Sequence, residues 1–272
     1  MLETIVLMLS QPFMQRAVLG GIFISLCASL LGVSLVLKRY SMIGDGLSHV
    51  GFGAVVVGAA AGFAPLAVAI PVVVAAAFLL LRLGESSEIK GDAAVAIVST
   101  GALAVGITAS SLSGGMNQDF NSYMFGTILG LSEADVILSI AVSVPVLILF
   151  ILFYNKIFAV TFDESFSKAT GVKTGVYNAL VAVLTALVIV LGMRLMGALL
   201  ISSLVIFPSL SAMRVCRTFK SVTICAGVVS VICFLIGICA SVVYNLPTGA
   251  SIVLANIFAF CLLFIFGKIK NR

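Results

Sequence analysis

The sequence predicts an all-α, polytopic transmembrane bundle. Three observations carry that expectation: 62% of the 272 residues are apolar, only 9% are charged, and the mean hydropathy is +1.30. The 15 Lys and Arg and 10 Asp and Glu cannot cover a water-facing surface over so much apolar area, so a chain soluble without lipid is excluded. Residues 1–10 lack the basic start of a signal peptide and carry Glu3, so the first span is expected to act as the address.

Windows of about 20 apolar residues place about nine spans, with eight as the alternative count. The first, 17–37, ends at Lys38 and Arg39, and the second, 41–62, contains Gly44-Asp45-Gly46-Leu47-Ser48-His49. The third is 65–81. The fourth, 92–112, and the fifth, 135–158, open on Asp92 and Asp135, where a carboxylate suits a helix N-terminus. The sixth is 175–191, the seventh 195–213 with Pro208 inside it, the eighth 221–243 and the ninth 250–266. Nine spans put the N-terminus outside and the C-terminus in the cytoplasm when the basic residues decide. That choice leaves only Arg16 and Arg194 of the 15 cations outside, as the positive-inside rule requires. The net charge of +5 is thereby explained as loop charge, and no nucleic-acid partner is needed.

The remaining loops are short, so residues 1–272 are read as a single transmembrane domain. Two connections are longer. The outer one, 113–134, contains Gly114-Gly115 and the amphipathic Tyr123-Met124-Phe125-Gly126, a cover at the membrane interface. The inner one, 159–174, is expected to hold a short helix near 161–172: Thr161 or Asp163 caps its start, Glu164 fills the first turn, Lys168 sits late and Gly171 suits the C-terminal cap. Phe162 and Phe166 then rest on lipid or on neighbouring helices, or else form a docking knob for a cytoplasmic partner. The six cysteines lie in or beside spans without a Cys-x-x-Cys pair and read as small apolar residues.

Among the acidic residues, Asp45 is expected to be the one set well inside a span. Counting 1.5 Å per residue from Arg39 puts it about 9 Å deep and His49, the sole histidine, about 15 Å deep. On a helix the two share a face one turn apart. Their use as interhelical glue would contribute little against the cost of burying them, so a functional role is favoured. Nucleophilic catalysis by Ser48 and His49 fails, because successive helical residues point about 100° apart. Proton relays and channels string several polar groups along a path. A carboxylate and an imidazole instead suit a divalent metal ion such as zinc, manganese or iron, and two copies related by a two-fold axis would double the ligand set. A proton-coupled secondary cation transporter is the alternative.

The run from Lys38 to His49 resembles the second span of the permease subunits of zinc, manganese and iron ABC importers. Tyr123-Met124-Phe125-Gly126, the stretch Gly197-Ala198-Leu199-Leu200-Ile201-Ser202-Ser203-Leu204 with Pro208, and Pro247-Thr248-Gly249-Ala250 agree in the same order. The resemblance implies a homodimer in the bacterial cytoplasmic (inner) membrane, two cytoplasmic ATP-binding subunits and an extracytoplasmic protein that delivers the metal. It carries Asp45 and His49 over as metal ligands. It also makes the inner helix, with Asp163, Glu164, Phe166, Lys168 and Gly171, an ATPase-coupling element. No permanent cofactor is implied. The chain has no Gly-x4-Gly-Lys-Ser/Thr loop, so it is expected to be no enzyme, ATP hydrolysis belonging to a partner. Three features depart from the family pattern. Gly46 stands where alanine is common, Phe207-Pro208-Ser209 replaces a more aliphatic approach to the proline, and the fourth span lacks histidine, which keeps manganese and iron open beside zinc.

Overall fold

A computed structural model of the chain describes residues 11–85, 91–113, 132–244 and 246–270. Within these residues all regular structure is helical. The elements are α1 (Pro12–Leu37), α2 (Ile43–Ala60), α3 (Pro65–Glu85), α4 (Gly91–Leu112), α5 (Glu133–Leu152), α6 (Tyr154–Phe162), α7 (Glu164–Ala169), α8 (Thr174–Met196), α9 (Ala198–Val215), α10 (Phe219–Tyr244) and α11 (Thr248–Lys270). Eight of them, α1 to α5, α8, α10 and α11, are long and apolar enough to cross a bilayer, and α9 contributes a shorter apolar stretch, Leu200–Val215. The outer-loop motif at 123–126 lies outside the described residues.

Contacts between helix ends show how the chain runs. Arg16 at the start of α1 pairs with Glu133 at the start of α5, and Asp135 pairs with Arg194 at the end of α8, so these three termini share one end of the bundle. At the other end Lys38, just past α1, meets Glu164 of α7 and Asn178 of α8. Phe219 at the start of α10 packs on Tyr154 and Phe158 of α6 there. Helix α9 thus runs from the Arg194 end to the Lys38 end, and its 18 residues make about 27 Å of helix. It runs from one end of the bundle to the other, although it is shorter than α8 and α10.

The passes form an inner and an outer set. Over their span windows α1, α2 and α8 are 67%, 72% and 67% buried, whereas α3, α4 and α11 are each 22% buried, which leaves the apolar faces of the outer set to lipid or to other subunits. Lipid supplies no hydrophobic drive between helices, so close approach through small residues holds them. A Cβ on Gly106 of α4 would stand 2.8 Å from the Cα of Gly53 on α2, and one on Gly237 of α10 would stand 2.5 Å from the Cα of Ile252 on α11. Backbones touch at both crossings, and any side chain would part them.

Four features differ from what the sequence suggests. The fifth span does not run to 158, because the helix breaks at Phe153 (φ −96°, ψ 11°). No Pro or Gly lies there, and Phe153 and Tyr154 turn instead to ring partners Tyr177 and Phe219. The expected inner helix, 161–172, is shorter. Thr161 and Phe162 finish α6, Asp163 rather than Thr161 is the N-cap of α7, and Thr170 is its C-cap. The seventh span does not begin at Leu195. Gly197, with φ +90° and ψ 155°, divides α8 from α9, a conformation that only glycine adopts without strain. Finally, Asp135, expected only to open its helix as an N-terminal carboxylate, is also buried in an ion pair. Asp135 is 8% exposed. It closes a capping box with Ser132 and accepts hydrogen bonds from Arg194 at 3.2 and 3.3 Å.

Burial separates the two ion pairs of the Arg194 end. Removing one partner of a buried pair strands the other charge, whereas an exposed pair such as Arg16 and Glu133, 39% and 64% exposed, is worth under about 1 kcal/mol. Asp135→Ala is therefore expected to destabilise the detergent-solubilised protein by about 3 kcal/mol, and Glu133→Ala by under about 1 kcal/mol, in reversible unfolding measurements.

Candidate functional site

The site is set by the way α1 turns into α2. At the end of α1 the N–H of Arg39 donates to Val36 O (3.1 Å) and the N–H of Tyr40 to Leu35 O (2.9 Å). Arg39 takes the left-handed conformation at φ 64°. This is a Schellman closure, with an arginine where glycine would cost less. The chain then doubles back: Ile43 N donates to Tyr40 O and Gly46 N to Met42 O. Residues 38–42 therefore do not continue a helix, and the depths counted from Arg39 do not apply. Depth comes instead from neighbours. Gly44 lies against Val205, near the middle of α9.

Asp45 falls in the first turn of α2, where the helix dipole favours a carboxylate. Of the two glycines beside it, Gly46 is the one that packing constrains. A Cβ on Gly44 would stand 3.7 Å from Val205 of α9, and one on Gly46 only 2.6 Å from Val95 of α4. An alanine at 46 would force the Val95 side chain aside, which gives the departure from the family pattern a physical reason. With α9 on one side and α4 on the other, Asp45 and His49 point between them. Their side chains remain 36% and 21% exposed in the lone chain.

The two side chains meet as the sequence predicts. His49 Nε2 lies 3.5 Å from Asp45 Oδ2. Ser202 Oγ, on α9, donates to Asp45 Oδ1 at 3.4 Å, and Ser48 Oγ turns back to the Asp45 carbonyl at 2.8 Å. Ser202 is the residue sequence reasoning did not single out, though it stands in the motif 197–204. Its signal was a hydroxyl in an apolar span with no assigned partner. His49 Nδ1 is buried without a hydrogen-bond partner among the described residues. A purely structural histidine is normally satisfied at both nitrogens, so this orphaned atom weighs against the glue reading. Among the described residues no group of three or more His, Cys, Asp or Glu side chains stands close enough to hold a metal ion, so one chain offers one carboxylate and one imidazole.

A second polar centre lies at the Lys38 end. Asp163 caps α7 by accepting from Phe166 N at 2.8 Å. Gly171, at φ +82°, closes the helix in a Schellman motif, with Val172 N donating to Ser167 O at 3.0 Å and Gly171 N to Lys168 O at 3.1 Å. Phe162 and Phe166 are 59% and 64% exposed. Glu164 is gripped from four sides: by Lys168 at 2.9 Å, Asn178 at 3.2 Å, Thr174 at 3.4 Å and Lys38 at 3.8 Å. Burial alone would raise the Glu164 carboxyl. The hydrogen bonds from Lys168 and Asn178 and the charges of Lys38 and Lys168 outweigh it and hold its pKa below the ordinary 4.5.

Comparison with known proteins identifies the family to which this fold belongs. Residues 10–267 match the model of the ABC 3 transport family, and the chain belongs to that family, a class of membrane transport proteins. The manganese transport system membrane protein MntC of Halalkalibacterium halodurans is 29% identical over 259 residues, covering 95% of this chain and 89% of its own. The high-affinity zinc uptake system membrane protein ZnuB of Haemophilus influenzae is 29% identical over 246 residues, covering 90% and 94%. The solved structure of PsaBC from Streptococcus pneumoniae in complex with Fab superposes with a TM-score of 0.87 at 27% identity, covering 97% of this chain and 95% of that one.

Because the folded-state pKa of Glu164 is depressed, the stability its cluster provides is fully present above about pH 4.5 and is lost as the pH falls through the lower folded value. The carboxylate is 34% exposed, so solvent screening keeps the effect under about 1 kcal/mol. Glu164→Gln is expected to lower the thermal midpoint in detergent slightly at pH 7, with the gap to wild type closing as the pH falls below the ordinary glutamate range.

Proposed function

We propose that the chain is the permease subunit of an ABC importer for a divalent transition metal ion, zinc, manganese or iron. The observation that carries this reading is the facing pair of Asp45 and His49, buttressed by Ser202 and left partly uncovered between α4 and α9 at mid-bundle depth. Two donors each about 2.1 Å from one tetrahedral ion lie about 3.4 Å apart. The 3.5 Å between His49 Nε2 and Asp45 Oδ2 therefore admits an ion between them with little side-chain movement. Two ligands bind weakly, and a second copy of the chain, related by a two-fold axis, supplies the other Asp45 and His49. The exposed edge of the pair is the face such a copy would cover. The relatives named for manganese and zinc transport support the cargo class.

In this reading residues 1–272 act as one multi-pass transmembrane domain in the bacterial cytoplasmic membrane, with the Arg194 end outside and the Lys38 end inside. The sorting of the basic residues supports that orientation, since Arg16 and Arg194 share one end and Lys38, Lys168 and Lys173 the other. An extracytoplasmic binding protein delivers the metal to the outer end. The ion sheds water and pauses between the two Asp45 and His49 pairs, held firmly enough to enter and loosely enough to leave. Closure of two cytoplasmic ATP-binding subunits, docked on α7 through Asp163, Glu164, Phe166, Lys168 and Gly171, then rocks the dimer and releases the ion inward. The permease binds no permanent cofactor and catalyses no reaction itself.

ATP-dependent uptake of labelled zinc, manganese and iron into vesicles holding the assembled complex tests this. His49→Ala and Asp45→Ala are each expected to lower uptake by about tenfold or more, as loss of a ligand in a sparse site should. Ser202→Ala, which removes one long hydrogen bond to the Asp45 carboxylate, worth about 1 kcal/mol, is expected to cost about fivefold. Undiminished uptake by the His49 and Asp45 variants would end the proposal.

A further inference from the structure

Six residues separate Lys38 from Asp45, and that short stretch joins the two polar centres of the molecule. We infer that the Lys38 and Glu164 pair is the link that passes movement of α7 to the α1–α2 turn and so to the position of Asp45. This rests on the reading of α7 as the element that the ATP-binding subunits move.

Helix α7 is six residues long and leans chiefly on α6 and α8. It reaches the first part of the chain through Glu164, whose Oε2 lies 3.8 Å from Lys38 Nζ. Lys38 Nζ also donates to Asn178 Oδ1, and Asn178 Nδ2 donates to Glu164 Oε2 at 3.2 Å. Three elements therefore meet at one carboxylate: the end of α1, the start of α8, and α7. Lys38 and Glu164 are 18% and 34% exposed, so water screens the pair less than it would a surface ion pair.

The segment beyond Lys38 transmits rather than absorbs displacement. Its peptide groups are tied back to α1 through Ser34, Val36 and Leu35 and forward into α2 through Tyr40 and Met42. A shift of Lys38 must carry the start of α2 with it, and Asp45 stands in that first turn. Space for such a shift exists. A cavity of about 330 Å³ lies between the turn and α6 to α8, lined among others by Lys38, Tyr40, Ile43, Phe162, Glu164 and Asn178. Buried Ser34, which also lines it, has no hydrogen-bond partner for its hydroxyl among the described residues. A close-packed core resists rearrangement, whereas this region has room for α7 and the turn to move together.

Lys38 and Glu164 are thus positioning residues, and exchanging their charges separates transmission from mere stability. In vesicles holding the permease with its ATP-binding subunits and metal-loaded binding protein, Lys38→Glu and Glu164→Lys are each expected to lower metal uptake by about tenfold. Hydrolysis by the Lys38→Glu vesicles should stay within about twofold of wild type, since Lys38 lies outside the docking helix, so the metal moved per ATP falls. The double exchange should restore uptake to within about threefold of wild type, because coupled residues depart from additivity. Glu164→Gln, a milder change, should lower the same ratio in part. Single variants that transport normally, a double variant no better than the worse single, or uptake and hydrolysis falling in step in Lys38→Glu would each overturn the link. If the wild-type complex itself moved no metal, the underlying reading of the protein would fail instead.

Discussion

The cost of holding a carboxylate and an imidazole inside an apolar helical bundle is the constraint on which the rest of the structure depends. Charged groups in a span are tolerated only where something polar receives them. Here Asp45 sits in the first turn of α2, where the helix dipole favours it, with Ser202 donating from α9 and His49 one turn above. To put that turn at mid-bundle depth the chain must double back after α1, and Arg39 takes a left-handed conformation to do so. Next to Asp45, Gly46 keeps α2 close to α4, because a side chain there would meet Val95. The turn, Gly46 and the α9 hydroxyl serve one arrangement.

Much of this was legible in the sequence. Composition and run length gave the helical membrane class, and each expected span lies largely on a helix. The i, i+4 spacing of Asp45 and His49 on an apolar helix put them on one face before any coordinates. What the sequence hid were effects of tertiary contact. Nothing local marks Phe153 as a helix break, since the cause is ring packing on Tyr177 and Phe219. Gly197 was inside an expected span because one glycine in an apolar run is common, and only its φ of +90° shows it as a boundary. Asp135 looked like an ordinary N-terminal carboxylate until Arg194, 59 residues later, proved to be its partner. Ser202 reaches Asp45 across 157 residues, a pairing no periodicity contains.

The two ends of the bundle differ in chemistry in a way that suits directional transport. At the Arg194 end, ion pairs tie α1 to α5 and α5 to α8, and one of them is buried enough to act as a fixed strut. At the Lys38 end, the ties converge on Glu164 of a short helix beside a cavity, an arrangement able to move. In the proposed importer the struts would keep the outer rims of the helices together while the inner end responds to the ATP-binding subunits, so that motion reaches Asp45 from below.

The central claim is that Asp45 and His49 of two copies converge on a metal ion in transit. Anomalous diffraction from crystals of the assembled transporter, grown with manganese or zinc and collected at the metal's absorption edge, addresses it most directly. The account predicts a peak on the two-fold axis with Asp45 oxygen and His49 nitrogen about 2.0 to 2.2 Å away. A dimer in which these side chains face lipid, or a peak elsewhere in the membrane region with none between them, would contradict it.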